Sequence, residues 1–297
     1  MEKHSSPKHF GEMPPRTSEF RRICKVFFNR KLAMIGFVII LMVILTSIFS
    51  PLLAPYNPYK MELSKKLLHP SREHLLGTDA LGRDTLSRII YGSRTSLMVG
   101  VIAVSIAAII GQPLGLTAAF FGGTTHAIIM RLIDALMSVP MILSALVIGA
   151  LLGGGLKNVI IALGVGMIAV HARLMCGQAL TIMQTDYVTA ARSIGAGNLR
   201  IMLRHLLPNS FPPLLVLITM EMGICILAEA GLSFLGLGIA PPGAAWGSMV
   251  SDGYAYLMTR PVLSIAPGFA VMLVVFGFNM AGDGLRDALD PRLRGTL

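Results

Sequence analysis

Long stretches without a single charged residue are the feature that most constrains this chain. Residues Leu32 to Tyr59, Thr95 to Thr125 and Pro261 to Gly282 contain no Asp, Glu, Lys or Arg. Charged residues make up 13% of the sequence, whereas soluble domains usually contain about 25%. A helical span needs about 20 consecutive apolar residues to cross the hydrocarbon core of a bilayer. The sequence therefore predicts a polytopic membrane protein and disfavours a soluble fold, a disordered chain or a disulfide scaffold.

Six stretches are long and apolar enough to cross a membrane. Because none of them shows the alternating pattern of a β-barrel strand, we expect α-helices, which satisfy all backbone polar groups within the segment. The predicted fold is thus an all-α, polytopic membrane protein with a six-helix transmembrane bundle. Pro113, Pro140 and Pro267 lie within spans and are expected to kink them. The predicted spans are Leu32–Ser50, Ser96–Phe121, Leu132–Leu152, Val159–Ile182, Leu214–Leu235 and Val262–Gly282.

The distribution of Lys and Arg predicts the orientation of the bundle. Basic residues are concentrated before the first span, and cytoplasmic segments carry such an excess. With six spans, both termini are then expected in the cytoplasm, although the basic residues of the first loop run against this bias. The predicted division is a cytoplasmic tail 1–31, a first transmembrane helix 32–50, an extracytoplasmic loop 51–95, a core 96–285 with five transmembrane helices and a cytoplasmic loop 183–213, and a cytoplasmic tail 286–297.

The cytoplasmic loop 183–213 is here called the inner loop. Three short stretches outside it predict local structure. The Pro-rich stretch that begins at Pro51 predicts an extended exit from the first helix. The stretch PPGAAWG predicts a tight turn that places Trp246 at the membrane interface, where tryptophan is enriched. Gly111 and Gly115 form a small-xxx-small pair, which predicts close packing of one helix against another.

The inner loop predicts two short helices on the cytoplasmic face. Asp186 is a suitable N-cap for a helix over 187–194, and Gly195 or Gly197 can supply the left-handed residue that ends it. A second helix is predicted over 198–207, with Pro208 helping to end it. An ordinary amphipathic helix lying on the membrane surface is the alternative interpretation.

Ionisable residues within the spans are candidates for the translocation path. Arg131 and Asp134 are three residues apart and can be neighbours on one helix, either as a structural pair or as part of a path. Glu221 and Glu229 lie roughly on one helical face. A carboxylate at mid-membrane costs about 2.5–3.5 kcal/mol and should face protein or water. Glu221, the deeper one, is therefore expected in an interhelical hydrogen bond or on the substrate path.

Several motifs that would indicate catalysis are absent from the sequence. It contains no GxxxxGK[ST] phosphate loop and no HExxH motif, and its three cysteines are far apart. An intramembrane hydrolase would need a serine near a buried histidine, but His171 has no serine nearby in its own helix. A secondary transporter would show an internal repeat, which the sequence lacks. We expect a non-catalytic chain that binds no cofactor, metal or nucleic acid.

At the inner loop the sequence resembles the cytoplasmic "EAA" loop of ABC-importer permeases. That pattern is Glu-Ala-Ala, three residues, Gly, nine residues, and Ile-x-Leu-Pro. Five residues of this chain fall at its spacing: Ala190, Ala191, Gly195, Leu207 and Pro208.

Two positions of this loop depart from the pattern, and three further stretches support the resemblance. Thr189 stands where the pattern has Glu, and His205 stands where it has Ile. The stretches His74–Leu97, Glu229–Met249 and Asn279–Gly295 are similar to the C-type subunit of the dipeptide/oligopeptide/nickel permease family.

The resemblance implies a permease subunit of an ATP-driven importer in the bacterial cytoplasmic membrane. It implies di- or oligopeptide cargo delivered by an extracytoplasmic solute-binding protein, with a nickel or glutathione importer permease of the same family as the alternative. Outside the resemblance, an intramembrane hydrolase is the other alternative function, which the residues disfavour. The implied partners are a sister permease in a heterodimer, the lipid bilayer and two ABC ATPases, which would use ATP and Mg. The implied ATPase-coupling residues are Asp186, Tyr187, Thr189, Ala190, Ala191, Arg192, Gly195, Leu207 and Pro208.

Overall fold

The computed structural model describes residues 19–239 and 242–290, and within these ranges the chain is helical throughout its regular structure. The described part has no strand, and an isolated β-bridge joins Thr78 to Asp84. A 3-10 turn covers Leu63–Lys65 and a π-helical turn covers Met202–Leu206. The α-helices are α1 (Glu19–Asn29), α2 (Lys31–Ile48), α3 (Ser50–Leu53), α4 (Thr85–Phe121), α5 (Gly123–Met137), α6 (Met141–Leu152), α7 (Leu156–Met183), α8 (Asp186–Ser193), α9 (Asn198–Ile201), α10 (Leu207–Phe234), α11 (Trp246–Tyr254) and α12 (Val262–Leu289).

Among the described residues, five helices are long and apolar enough to cross a membrane on their own. They are α2, α4, α7, α12 and the continuous helix Asn198–Phe234, which joins α9, the π turn and α10. α5 and α6 meet at an angle of 85°, and this bent pair makes a sixth span if its two helices together cross the membrane. The break lies just before Pro140, which cannot donate the backbone hydrogen bond that a straight helix would need there. The all-α polytopic fold is confirmed, with its third span broken rather than continuous.

The centre of the bundle is the contact between α4 and α7, the most extensive helix pair in the structure. Gly111 and Gly115 lie on the α7 side of α4, and a methyl group at Gly111 would stand 2.5 Å from the carbonyl oxygen of Ile168. In lipid, helices associate through close packing rather than through exclusion of water, so small residues at the contact are favoured. The predicted packing role of this glycine pair is confirmed.

The bundle has two structurally different ends. One end, here called the α8 end, carries α8, the last turn of α4 and the end of α12, where Arg30 pairs with Asp287 at 2.5 Å. The other end is covered by residues 49–84 and 242–261, here called the loop cap. Asp84 joins the cap to the bundle, because its carboxylate accepts hydrogen bonds from Ser87 N at 2.8 Å and Ser87 Oγ at 2.7 Å and so caps α4.

Two expectations about the loop cap are wrong. The chain after the first span does not leave in an extended conformation, because Ser50–Leu53 forms a further helical turn with Pro51 at a first-turn position that needs no backbone donor. Trp246 is not an exposed interfacial side chain, because protein encloses it. It is 2% exposed, begins α11 and donates its indole N–H to the carbonyl oxygen of Ile89 at 2.9 Å, which satisfies its one polar group inside the protein.

The observed helices extend beyond the expected spans, as the start of α4 and the end of α12 show. The second span begins at Thr85, well before Ser96, because Asp84 supplies a cap that precedes the apolar run. The final helix continues to Leu289, so that the first residues of the expected tail 286–297 are helical. Residues 1–18 and 291–297, which belong to the expected cytoplasmic tails, lie outside the described residues.

We predict that Gly115→Ala destabilises the bundle by about 1–3 kcal/mol, the usual cost of overpacking a close contact. A methyl group at this position would clash with the carbonyl group of Ala172, which belongs to the α7 backbone and cannot move aside. The measurement is the midpoint of thermal aggregation of the purified protein in detergent. Gly177→Ala is the matched control, since a methyl group there meets no described atom within 4 Å and should be neutral or slightly stabilising. Equal midpoints for the two variants would contradict the packing role.

Candidate functional site

The predicted coupling loop contains a short helix whose two faces differ. α8 buries Val188 completely and leaves Ala191 8% exposed. The opposite face is open, with Tyr187 45% and Ile194 86% exposed. This face of α8 is therefore accessible to another molecule.

The ends of α8 follow from its local sequence, with one shift from the expectation. Thr185, and not Asp186, is the N-cap residue. Asp186 is the first helical residue, where its negative charge is favourable beside the positive end of the helix dipole. At the other end Gly195 has φ +80°, and two backbone bonds close the helix, from Gly195 N to Arg192 O and from Ala196 N to Ala191 O, both 3.0 Å. This is a Schellman motif, and the predicted role of Gly195 is confirmed.

The expectation that Pro208 ends a helix is wrong. The chain runs through a π turn over Met202–Leu206 and then enters α10 at Leu207, with Pro208 in its first turn. A proline is tolerated there because the wider π turn changes the hydrogen-bond pattern immediately before it, and a first-turn residue needs no N–H partner. The consequence is mechanical, because the loop is joined to a membrane-spanning helix without an intervening flexible segment.

α8 is fixed to the bundle through its buried face and through two aromatic contacts. Val188 packs in a cluster with Leu116 of α4, Met175 of α7 and residues of the following helix. The guanidinium carbon of Arg192 lies 5.7 Å from the ring centroid of Phe120, at cation–π distance. The rings of Tyr187 and His205 lie 6.1 Å apart. α8 is therefore in contact with the ends of α4 and α7 and with the segment that leads into α10.

The structure places the nine coupling candidates on one loop but not on one face. Ala191 is buried and Leu207 is half-buried, so both act within this chain. The exposed members are Asp186, Tyr187, Thr189, Ala190, Arg192, Gly195 and Pro208.

The three candidates for the translocation path do not come together. Asp134 does not pair with Arg131 on its own helix, because Arg173 of α7 reaches it and forms the ion pair. Arg131 is exposed and has no ion-pair partner among the described residues. Glu221 lies elsewhere, on α10, and is 4% exposed. The sequence spacing permits the Arg131–Asp134 pair, but it cannot show that a second arginine projects from the neighbouring helix.

Glu221 belongs to a buried contact between two membrane helices. Its Oε2 lies 2.7 Å from Nε2 of His171, which is fully buried near the middle of α7. The angles of this contact do not fit a hydrogen bond, and within the described chain His171 Nδ1 also lacks a partner. Two helical turns further on, Glu229 is fully buried and accepts hydrogen bonds from Ser233 at 2.7 Å and from Ser96 of α4 at 3.5 Å. Both carboxylates thus tie α10 to its neighbours.

A cavity of about 820 Å³ opens at the α8 end between α7, α10 and α12. Its wall combines apolar and proline residues with four polar side chains: Gln178, Asn209, Arg286 and Asp290. Its lining is thus mixed, with polar groups converging on an apolar wall, and such convergence is a feature of small-molecule sites. The carboxylate of Glu221 is not part of this wall.

The loop cap holds a polar cluster that the sequence analysis did not single out. Asp79 Oδ2 accepts from Arg83 Nε at 2.6 Å and lies 3.6 Å from Arg88 Nε, and both arginines are buried. These three residues line a cavity of about 440 Å³ together with Asp252. Burial raises the pKa of the Asp252 carboxyl, and Arg88 and Arg83 oppose that rise. The signal in the sequence was the spacing of acidic and basic residues in TDALGRDTLSR, but spacing alone does not show that the side chains converge.

None of the described residues form a group of His, Cys, Asp and Glu side chains that could hold a metal ion. The candidate site consists of the exposed face of α8 and the cavities given above.

The fold and the candidate site define a helical, multi-pass membrane protein. Comparison with known proteins identifies its family. The family described as "Binding-protein-dependent transport system inner membrane component" matches residues 111–295. The N-terminal transmembrane domain of oligopeptide transport permease C matches residues 18–70. The chain belongs to this family of inner membrane components, and it is a non-catalytic permease subunit of an ABC importer of the peptide family.

Relatives match most of the length of the chain. The dipeptide transport system permease protein DppC of Alkalihalophilus pseudofirmus is 42% identical over 93% of this chain and 91% of its own length. The probable D,D-dipeptide transport system permease protein DdpC of Escherichia coli is 42% identical over 87% of each chain. The glutathione transport system permease protein GsiD of Pectobacterium atrosepticum is 38% identical over 93% of this chain and 92% of its own.

A solved structure supports the fold. A chain of the MetNI methionine ABC transporter in an inward-facing conformation superposes with a TM-score of 0.57. The match covers 68% of this chain and 96% of that chain, at 19% identity.

We predict that Glu221→Leu alone destabilises the protein by about 1–3 kcal/mol, because it leaves the buried ring of His171 without its polar neighbour. The double variant His171→Leu/Glu221→Leu should recover most of that loss, since replacing both buried polar groups by apolar ones can be nearly neutral. Thermal midpoints in detergent and transport by the assembled importer are measured for each variant. A double variant that is stable and transports normally would remove Glu221 from the translocation path, whereas one that is stable but inactive would support its place there.

Proposed function

We propose that this chain forms one half of a peptide pathway across the bacterial inner membrane. It pairs with a sister permease as a heterodimer, two ABC ATPases bind at the α8 end, and a solute-binding protein delivers cargo at the loop cap. The chain itself binds no cofactor, because ATP and Mg are used by the ATPases, and it binds no nucleic acid. The similarity to dipeptide and peptide permeases over most of the chain supports this proposal.

The observation that carries the proposal is the two-faced form of α8. Its inner face is fixed through Val188 and Ala191, while Tyr187, Ala190 and Ile194 remain open. A helix held in this way can seat in a groove of a partner without losing its place on the permease. A purely interfacial helix would instead direct its apolar residues toward lipid.

The coupling mechanism follows from what α8 contacts. Closure of the two ATPases on ATP would move α8, and the rigid connection through the π turn would pass this movement to α10. The contact between Arg192 and Phe120 would pass it to α4. The bundle would tilt between inward-facing and outward-facing states, and the chain would perform no covalent chemistry.

The pathway proposal places the cavity of the α8 end on the cytoplasmic side. The basic residues before the first span support this orientation, with both termini in the cytoplasm. Arg286 and Asn209 in its wall offer hydrogen-bond donors to the carboxylate and carbonyl groups of a peptide. Asp134 and Arg131 remain candidates for a separate part of the path on α5.

For the coupling surface we predict that Ala190→Trp reduces recovery of the ATPases with the purified permease by at least tenfold. Ala190 is exposed, so the indole ring leaves the permease fold intact but blocks close seating of a partner. Ala191→Trp is less informative, because Ala191 is buried in this chain. Ala255→Trp is the control, an exposed alanine in the loop cap that should leave ATPase recovery unchanged. Normal recovery and normal transport of the Ala190→Trp variant would contradict the coupling assignment.

Glutathione is the second candidate cargo, because relatives over most of the chain are named as glutathione permeases. A nickel complex is the third, and no relative named above favours it. We predict that the reconstituted importer, supplied with its own binding protein, takes up labelled dipeptides or oligopeptides. An excess of unlabelled glutathione or chelated nickel should leave this uptake unchanged. Uptake of glutathione or nickel with no uptake of peptides would overturn the cargo assignment while leaving the permease assignment intact.

A further inference from the structure

A deep apolar groove runs along the half of α12 that lies next to the loop cap. It has a volume of about 550 Å³ and lies between α2, α4 and α12. This α12 groove is lined almost entirely by aliphatic and aromatic side chains. Representative members are Val43, Ile89, Trp246, Ala266, Phe269 and Leu273.

The length of the α12 groove corresponds to one leaflet of a bilayer. Between Val262 and Leu273, both in its wall, α12 rises by about 16 Å at about 1.5 Å per residue. The hydrocarbon core is about 30 Å thick, so that one leaflet contributes about 15 Å. A lipid chain lying in the groove would therefore extend from the membrane surface to the mid-plane.

A second, more polar cavity of about 220 Å³ adjoins the α12 groove at its cap end. The two share Leu76, Pro261 and Val262 as walls, and the second cavity adds His69 and Arg260. It is therefore continuous with the cap end of the apolar groove, on the side of the loop cap.

Arg260 is held in a fixed orientation in this second cavity. Its Nε donates to Leu67 O and its Nη1 to Thr259 O, both at 2.9 Å. Among the described residues no carboxylate forms an ion pair with it. The remaining N–H groups and the uncompensated charge suit a phosphate, which guanidinium groups bind with good geometry.

We propose that the α12 groove and Arg260 together bind one anionic glycerophospholipid. The phosphate lies on Arg260, and one acyl chain fills the groove down to Leu273. This lipid site is independent of the cargo and of the coupling surface.

The test uses the assembled importer, purified in mild detergent either from membranes or from nanodiscs of phosphatidylglycerol or phosphatidylcholine. Native mass spectrometry then counts the bound lipid molecules. The unmodified complex should retain one phosphatidylglycerol per permease. Ala266→Trp, which fills the groove, should lower this occupancy at least tenfold, and Arg260→Gln should abolish the preference for phosphatidylglycerol over phosphatidylcholine. Ile109→Trp and Arg72→Gln are the controls, an exposed α4 side chain outside the groove and an exposed loop-cap arginine. Both should retain lipid as the unmodified complex does.

Three results would overturn the proposal. Equal lipid retention by Ala266→Trp and Ile109→Trp would show that the lipid is not in the groove. Displacement of the lipid by millimolar inorganic phosphate would show that the acyl chain contributes nothing. A disulfide between a cysteine introduced at Ile265 and the sister permease would show that protein covers the groove. Because lipid occupancy is the readout, a wrong cargo assignment would not affect any of these outcomes.

Discussion

The close contact of α4 with α7 is the constraint on which the rest of the structure depends. α4 contains 37 residues and is therefore about 55 Å long, which exceeds the roughly 30 Å of hydrocarbon and lets it reach both ends of the bundle. Gly111 and Gly115 allow its backbone to lie directly against that of α7. Its first turn is capped by Asp84 of the loop cap, and its last turn carries Phe120 beneath Arg192 of α8. Both functional surfaces are thus positioned by one helix.

Polar contacts inside the bundle connect the remaining helices to this pair. Glu229 joins α10 to α4, and the contact of Glu221 with His171 joins α10 to α7. Because α10 continues without interruption into the segment that follows α8, the helix that carries the buried carboxylates is also the one that a movement of α8 would displace. In the proposed change between inward-facing and outward-facing states, the contacts of Glu221 and Glu229 would therefore have to move or break.

The sequence was sufficient for features that depend on local composition, and insufficient for those that depend on which helices are neighbours. Apolar runs predicted the spans, and Gly195 predicted the end of α8. The start of α4 was missed because a cap residue, and not hydropathy, sets it. Pro208 was misread because a π turn precedes it, and Trp246 because its hydrogen-bond partner Ile89 is far away in the sequence. In the same way, spacing suggested Arg131 as the partner of Asp134, whereas Arg173 reaches it from α7.

The central claim is that the two ends of the bundle face different compartments, with the α8 end toward the ATPases in the cytoplasm. The most direct measurement is labelling of intact cells with a membrane-impermeant maleimide, in a background lacking Cys24, Cys176 and Cys225. Arg72→Cys probes the loop cap and Asn198→Cys probes the α8 end, and both positions are exposed. A cytoplasmic α8 end predicts that the Arg72→Cys variant is labelled in intact cells and the Asn198→Cys variant only after lysis. Labelling of the Asn198→Cys variant in intact cells would contradict it.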